Sequence, residues 1–175
     1  MAYFNLALPI IQKNEGGYAN VAGDTGGQTY VGISRNNFPD WSGWAIIDAM
    51  NPPPEHNQII PELTPLLGDF YKPNFWDKIQ GDNIASQPIA SYFMDWFVTS
   101  GAWATKHVQK ILNIAQDGIF GTNSVSALNN AGDILSQIHD ARVAYYTAIA
   151  ANGNEKFLTG WLNRADDTYA ALLSA

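Results

Sequence analysis

The sequence predicts an α+β fold that is mainly helical, with a small glycine-rich β-hairpin beside its first helix. Three observations carry that reading. An apolar stripe over residues 4–15 is stopped by Gly16-Gly17. A turn-rich segment that could alternate as strand fills residues 18–33. After Trp76 the pattern is helical almost to the end of the chain.

Each element follows from its residues. Phe4, Leu8, Ile11 and Glu15 recur at helical spacing and lie within a narrow arc. Pro9 must sit near the first turn or kink the helix, because it lacks an N–H. Gly16-Gly17 ends the helix, as glycine does at helix C-termini. Gly23-Asp24-Thr25-Gly26-Gly27 is strong turn chemistry. Gln28 to Ile33 alternates, with Thr29, Val31 and Ile33 on one face and Gln28 and Tyr30 on the other. Residues 34–50 hold one or two short helices, and Asn51-Pro52-Pro53-Pro54 is a stiff connector. Pro61 and Pro65 start or punctuate helices across 56–71. Further helices are expected near 85–98, 102–113, 122–130, 133–151 and 155–173. Asp117 to Gly121 forms a turn, with Thr122 or Asn123 as the next cap.

Composition narrows the function classes. A chain of 175 residues suits one domain or two small lobes sharing a core. Such a chain buries about 70% of its unfolded surface and needs no disulfide or metal to fold. It has no cysteine, which excludes disulfides, thiol catalysis and cysteine-bound zinc. No run of about 18 apolar residues exists, so no membrane-spanning helix is expected. The start, Met1-Ala2-Tyr3-Phe4-Asn5, lacks a basic region and does not read as a signal peptide. The net charge of −7 disfavours nucleic-acid binding. Six Trp, eight Tyr and eight Phe suit sugar stacking but are first of all core material.

Glu15 is the leading chemical candidate. It ends an apolar stripe, so its carboxyl points toward packed surface or a cleft wall. It also sits in the last helical turn, where the dipole disfavours negative charge. Both effects favour the protonated form that a general acid needs. The plainer alternative is a helix-end carboxylate held by backbone N–H groups of the Gly16-Gly17 turn. Glu55, Glu62 and Glu155 lie in solvated surroundings. Asp24 and Thr29 could fold back over the helix end, and glycosidases commonly pair two carboxylates. Taken singly, Asp24 reads as a turn residue and Thr29 as a strand former. His56, His107 and His139 lack metal-ligand spacing and read as structural or solvated. Thr99, Ser34 and Ser100 lack the histidine and acid of a hydrolase triad. Among the aromatics, Trp76, Trp96 and Trp103 suit the core, with Trp76 and Tyr30 the preferred sugar-stacking residues.

Taken together, Glu15-Gly16-Gly17-Tyr18, Asp24, Gly26-Gly27, Thr29 and Gly32-Ile33-Ser34 resemble the signature of glycoside hydrolase family 108. That family includes muramidases of phage-lysin type and of proteins once called secretion-activating proteins. The spacing from Glu15 to Asp24 also resembles phage-type lysozymes. Phe75-Trp76-Asp77 resembles the family's aromatic segment. Asp95, Ser100-Gly101, Gln109, Asp117-Gly118-Ile119 and Gly121 resemble the peptidoglycan-binding region that usually follows. Gly160-Trp161-Leu162-Asn163-Arg164 resembles its C-terminal end. Two departures stand out. Asn20-Val21-Ala22-Gly23 replaces a stretch that often carries Asp-Pro, and Thr99 replaces an asparagine.

The resemblance implies a lysozyme-like fold and hydrolysis of the β-1,4 bond between N-acetylmuramic acid and N-acetylglucosamine. Glu15 would protonate the leaving oxygen, Asp24 would stabilise positive charge or position a water, and Thr29 would help orient that water. The phage-lysozyme resemblance favours inversion; carboxyls about 6.5–9.5 Å apart would support it, while about 5–5.5 Å would support retention. Tyr18, Gln28, Tyr30, Trp76 and Asp95 are the expected substrate contacts. No metal or organic cofactor is implied. The partner is bacterial peptidoglycan, and a monomer is favoured. Residues 1–90 are expected to form the muramidase lobe. Residues 91–175 are expected to form a helical peptidoglycan-binding region packed on it as one unit. The place of action would be the periplasm or cell wall, reached from the cytoplasm without a recognisable leader. The main rival is a wall-binding or secretion-assisting protein that does not cut. A plain helical interaction module is the third reading.

Overall fold

The computed structural model describes residues 1–21 and 26–174. The order of elements is α1 (Phe4–Glu15), β1 (Tyr18–Ala19), β2 (Thr29–Tyr30), β3 (Ile33–Ser34), α2 (Gly43–Ala49), α3 (Thr64–Tyr71), α4 (Gln87–Ser100), α5 (Ala102–Ile111), α6 (Thr122–Asn130), α7 (Leu135–Ala150) and α8 (Glu155–Leu173). Lys72–Trp76 forms a π-helical turn directly after α3. The fold is α+β and mainly helical, as the sequence predicts. The chain divides into two compact units, Leu8–Pro73 and Met1–Ala7 with Asn74–Ala175.

The unit Leu8–Pro73 carries the sheet. Its strands pair antiparallel in the order β1-β2-β3, with Tyr18 opposite Tyr30 and Thr29 opposite Ser34. The segment Gln28 to Ile33 is therefore not one alternating strand. It reverses at Val31-Gly32, because both residues take left-handed backbone angles of φ 45° and 72°. A two-residue turn of that kind matches the natural twist of a hairpin. Ile11, Ile33, Ile47, Leu63 and Leu67 are among the buried core residues of this unit. Edge-on aromatic pairs, Trp41 with Trp44 and Phe38 with Phe70, close one side of the unit.

The second unit is built around α4. Ser86 caps that helix by accepting the Ile89 N–H at 3.4 Å, and Pro88 sits in its first turn. Every residue from Ile89 to Trp96 is buried, so α4 has no solvent face over that stretch. Helices α5, α7 and α8 pack against it. Thr122 is the first helical residue of α6 and Gly121 holds the cap position without a side-chain bond, which corrects the expected Thr122 or Asn123 cap. Among the described residues no helix is long and apolar enough to cross a membrane.

Candidate active site

Glu15 is the last residue of α1 and is half-buried. The chain leaves it through two glycines that lock onto a neighbouring loop. Gly17 runs so close to residues 57–58 that a Cβ there would lie 2.5 Å from the carbonyl oxygens of Asn57 and Gln58. Its N–H donates to Asn57 Oδ1 at 2.8 Å. The Tyr18 N–H donates to the Gln58 carbonyl at 3.0 Å, and the Tyr18 carbonyl accepts from the Asn57 N–H at 2.6 Å. These bonds fix where the helix end must be.

The hairpin tip forms the other side of the site. Valine is β-branched, and its positive φ at Val31 costs on the order of 1–3 kcal/mol. Two bonds hold it there. Its N–H donates to the Gly17 carbonyl at 3.3 Å, and its carbonyl accepts from the Tyr71 hydroxyl at 2.6 Å. Gly32 then meets the acid. A Cβ at this position would fall 2.8 Å from Glu15 Oε2 and 2.9 Å from the Tyr71 hydroxyl. Only glycine allows the carboxyl to approach so closely, and only glycine takes this φ without strain. Gly32 is exposed while Tyr71 is buried, so the carboxyl stands at the open edge of an otherwise packed corner.

A polar row flanks this corner. Gln28 Nε2 donates to the Tyr18 hydroxyl at 3.0 Å, and an Arg35 N–H donates to Gln28 Oε1 at 2.6 Å. Arg35 also makes a two-pronged pair with Asp48, both bonds 2.7 Å, and stacks 5.3 Å over the Trp44 ring. Hydrogen bonding to Arg35 holds the Asp48 carboxyl below the usual carboxylate range, and the same bonds raise the Arg35 guanidinium. Both partners are solvent-facing, so the pair orients Gln28 more than it stabilises the fold. Thr29 is half-buried on β2, opposite Ala19 and Ser34. The structure thus brings Glu15, Tyr18, Gln28 and Thr29 into one unit. Asp24 lies outside the described residues. Sequence reasoning missed Arg35, Asp48, Asn57 and Tyr71. Their signals are long-range pairings that no local motif encodes.

Three expected substrate contacts belong instead to the core. Tyr30 is fully buried, and its hydroxyl is spent on the Ile60 backbone, donating to the carbonyl at 3.1 Å and accepting the N–H at 2.8 Å. Burial pushes its pKa up. Trp76 is fully buried against Phe4, and its indole N–H donates to Asp82 at 2.7 Å. Asp95 is fully buried between Arg142 at 2.8 Å and Arg164 at 2.7 Å. A side chain without exposed surface has no face to offer a sugar. Asp117, Gly118 and Gln109 also serve structure. Asp117 accepts the Ile119 N–H at 2.8 Å, and Gln109 bonds Asp117 and the Gly118 N–H. Backbone bonding from Ile119, then Gln109, lowers the Asp117 pKa. Among the described residues no group of three or more His, Asp or Glu could hold a metal ion.

Comparison with known proteins bears on the family and the fold. The structure of Brucella abortus SagA is similar to this chain at a TM-score of 0.72 and 26% identity, over 98% of this chain and 94% of that one. No curated protein matches the chain significantly. Residues 103–166 match the family described as Predicted Peptidoglycan domain, which ties the chain to peptidoglycan. Residues 8–101, which include Glu15, the hairpin tip and Tyr71, match the family described as Glycosyl hydrolase 108, and the chain belongs to that glycoside hydrolase family.

Proposed function

We propose that this protein is an N-acetylmuramidase that hydrolyses the β-1,4 bond between N-acetylmuramic acid and N-acetylglucosamine, with Glu15 as the general acid. The observation that supports it most is the Glu15 carboxyl, half-buried beside the exposed Gly32 where no side chain could fit. A carboxylic acid so placed can give its proton to a glycosidic oxygen that arrives from solvent. The C–O bond then breaks and positive charge develops on the sugar ring. Asp24 stabilises that charge or positions the attacking water, and Thr29 helps orient the water. Inversion is the expected stereochemistry. In this reading Gln28, whose amide bonds Arg35 and Tyr18, hydrogen-bonds the sugar. The substrate is a wall polymer, so the protein acts in the periplasm or cell wall.

Reducing-end release from purified peptidoglycan tests the proposal. Wild type should release reducing ends and Glu15→Gln should not. Saturable binding to the wall with no release by either would favour a wall-binding protein, a reading that the match over residues 103–166 also supports.

A further inference from the structure

The hydroxyl of Tyr71 reaches 40 residues back along the chain to one backbone carbonyl, that of Val31. That carbonyl belongs to a β-branched residue held in the left-handed region, where such residues rarely stay without support. Tyr71 is buried at the end of α3, so its ring has little freedom to follow a moving hairpin. The next residue, Gly32, lies so near the acid that a Cβ there would fall 2.8 Å from Glu15 Oε2. The opposite side of the turn is tied to Gly17, two residues beyond Glu15. The hairpin tip is therefore fastened at both backbone groups of Val31, once to the segment that follows the acid and once to α3.

We propose that Tyr71 is a positioning residue for the acid: its hydroxyl holds the strained Val31-Gly32 turn in place, and the turn in turn fixes the Glu15 carboxyl. This rests on the reading of Glu15 as the general acid. Tyr71 need not touch substrate. Its role is to keep one wall of the acid's seat where proton transfer requires it, since small misplacements of a catalytic group cost large factors in rate.

Tyr71→Phe removes the hydroxyl and keeps the ring. On soluble glycan strands its kcat should fall by about tenfold to a hundredfold. KM should change by less than about twofold, because uniform substrate binding is untouched. A second readout does not depend on activity. The chain has four glutamates, so a carbon-13 glutamate label gives four side-chain carboxyl signals. The signal missing in Glu15→Gln identifies Glu15. In Tyr71→Phe that signal should move while the other three stay. An unmoved Glu15 signal, or a wild-type kcat in an active enzyme, overturns the proposal. If wild type releases no reducing ends yet the signal moves, the muramidase reading fails and the positioning role stands. If Glu15→Gln is inactive and Tyr71→Phe matches wild type in both readouts, the acid stands and the positioning role falls.

Discussion

Glu15 and Asp95 are carboxylates in two regions built on different terms. Asp95 lies on the helix that is buried all round, and two arginines close on it from α7 and α8. Arg142 beside it is itself fully buried, stacked 5.1 Å from the Tyr92 ring and 5.5 Å from the Tyr146 ring. Burial works against the Arg142 charge, but Asp95 and the two tyrosines outweigh it and raise its pKa. Burial likewise pushes the Tyr92 phenol up. Glu15, by contrast, is half-buried beside the Gly32 backbone at an exposed turn. One acid is neutralised by cations and sealed, which suits structure. The other lies beside a glycine turn at an exposed position and is left reachable, which suits chemistry. Acidity in the sequence marks both; burial separates them.

The contrast can be broken most sharply at Gly32. Gly32→Ala places a methyl group in the space of the Glu15 carboxyl, at a φ that alanine resists. Activity should fall by about a hundredfold or more in a reducing-end assay, with a lowered melting temperature. A variant near wild-type rate would show that the carboxyl does not need this seat. In the other region, Arg142→Met should cost about 3–5 kcal/mol of stability, read by denaturant unfolding, because it strips one cation from a buried ionic cluster. A loss of catalysis without a loss of stability would reverse the assignment of that region.

A smaller effect is expected at the polar row. Arg35→Met frees the Gln28 amide and should raise KM by about threefold to tenfold with kcat little changed. A fall in kcat alone would place Arg35 in the chemistry rather than in substrate orientation. The smallest effect is a pH dependence in the helical region. Burial, with a lesser push from Lys110, lowers the pKa of His107, which stacks on Trp96. The unfolded chain therefore takes up this proton at higher pH than the folded chain. Stability from this group is present above the ordinary histidine range and declines as pH falls from about 6.5 toward the lower folded value. Melting temperature should drop over that window, and His107→Gln should flatten the drop.

Much of the fold was legible because its signals are local. The stripe from Phe4 to Glu15 and the stop at Gly16-Gly17 set α1, and the helical spacing after Trp76 gave α4 to α8 to within a few residues. The hairpin was visible in its glycines, but its fold-back at Val31-Gly32 was not, because valine in a left-handed turn runs against its own preference. Glu15 stood out as a candidate from its place at the end of the helix. Tyr71 and Arg35 were not, since each works through a partner found only in three dimensions. Tyr30 and Trp76 show the limit from the other side. An aromatic side chain suits a sugar face and a core equally well, and only burial decides between them.

The most direct test sets the two carboxylates side by side. Glu15→Gln and Asp95→Asn should be compared for reducing-end release and for thermal melting in the same preparations. The expected result is that Glu15→Gln loses release while keeping the wild-type melting temperature. Asp95→Asn should melt several degrees lower yet keep its rate when assayed well below that temperature. Full release by Glu15→Gln, or a rate lost in Asp95→Asn while its melting temperature holds, would contradict the division of labour between the two acids.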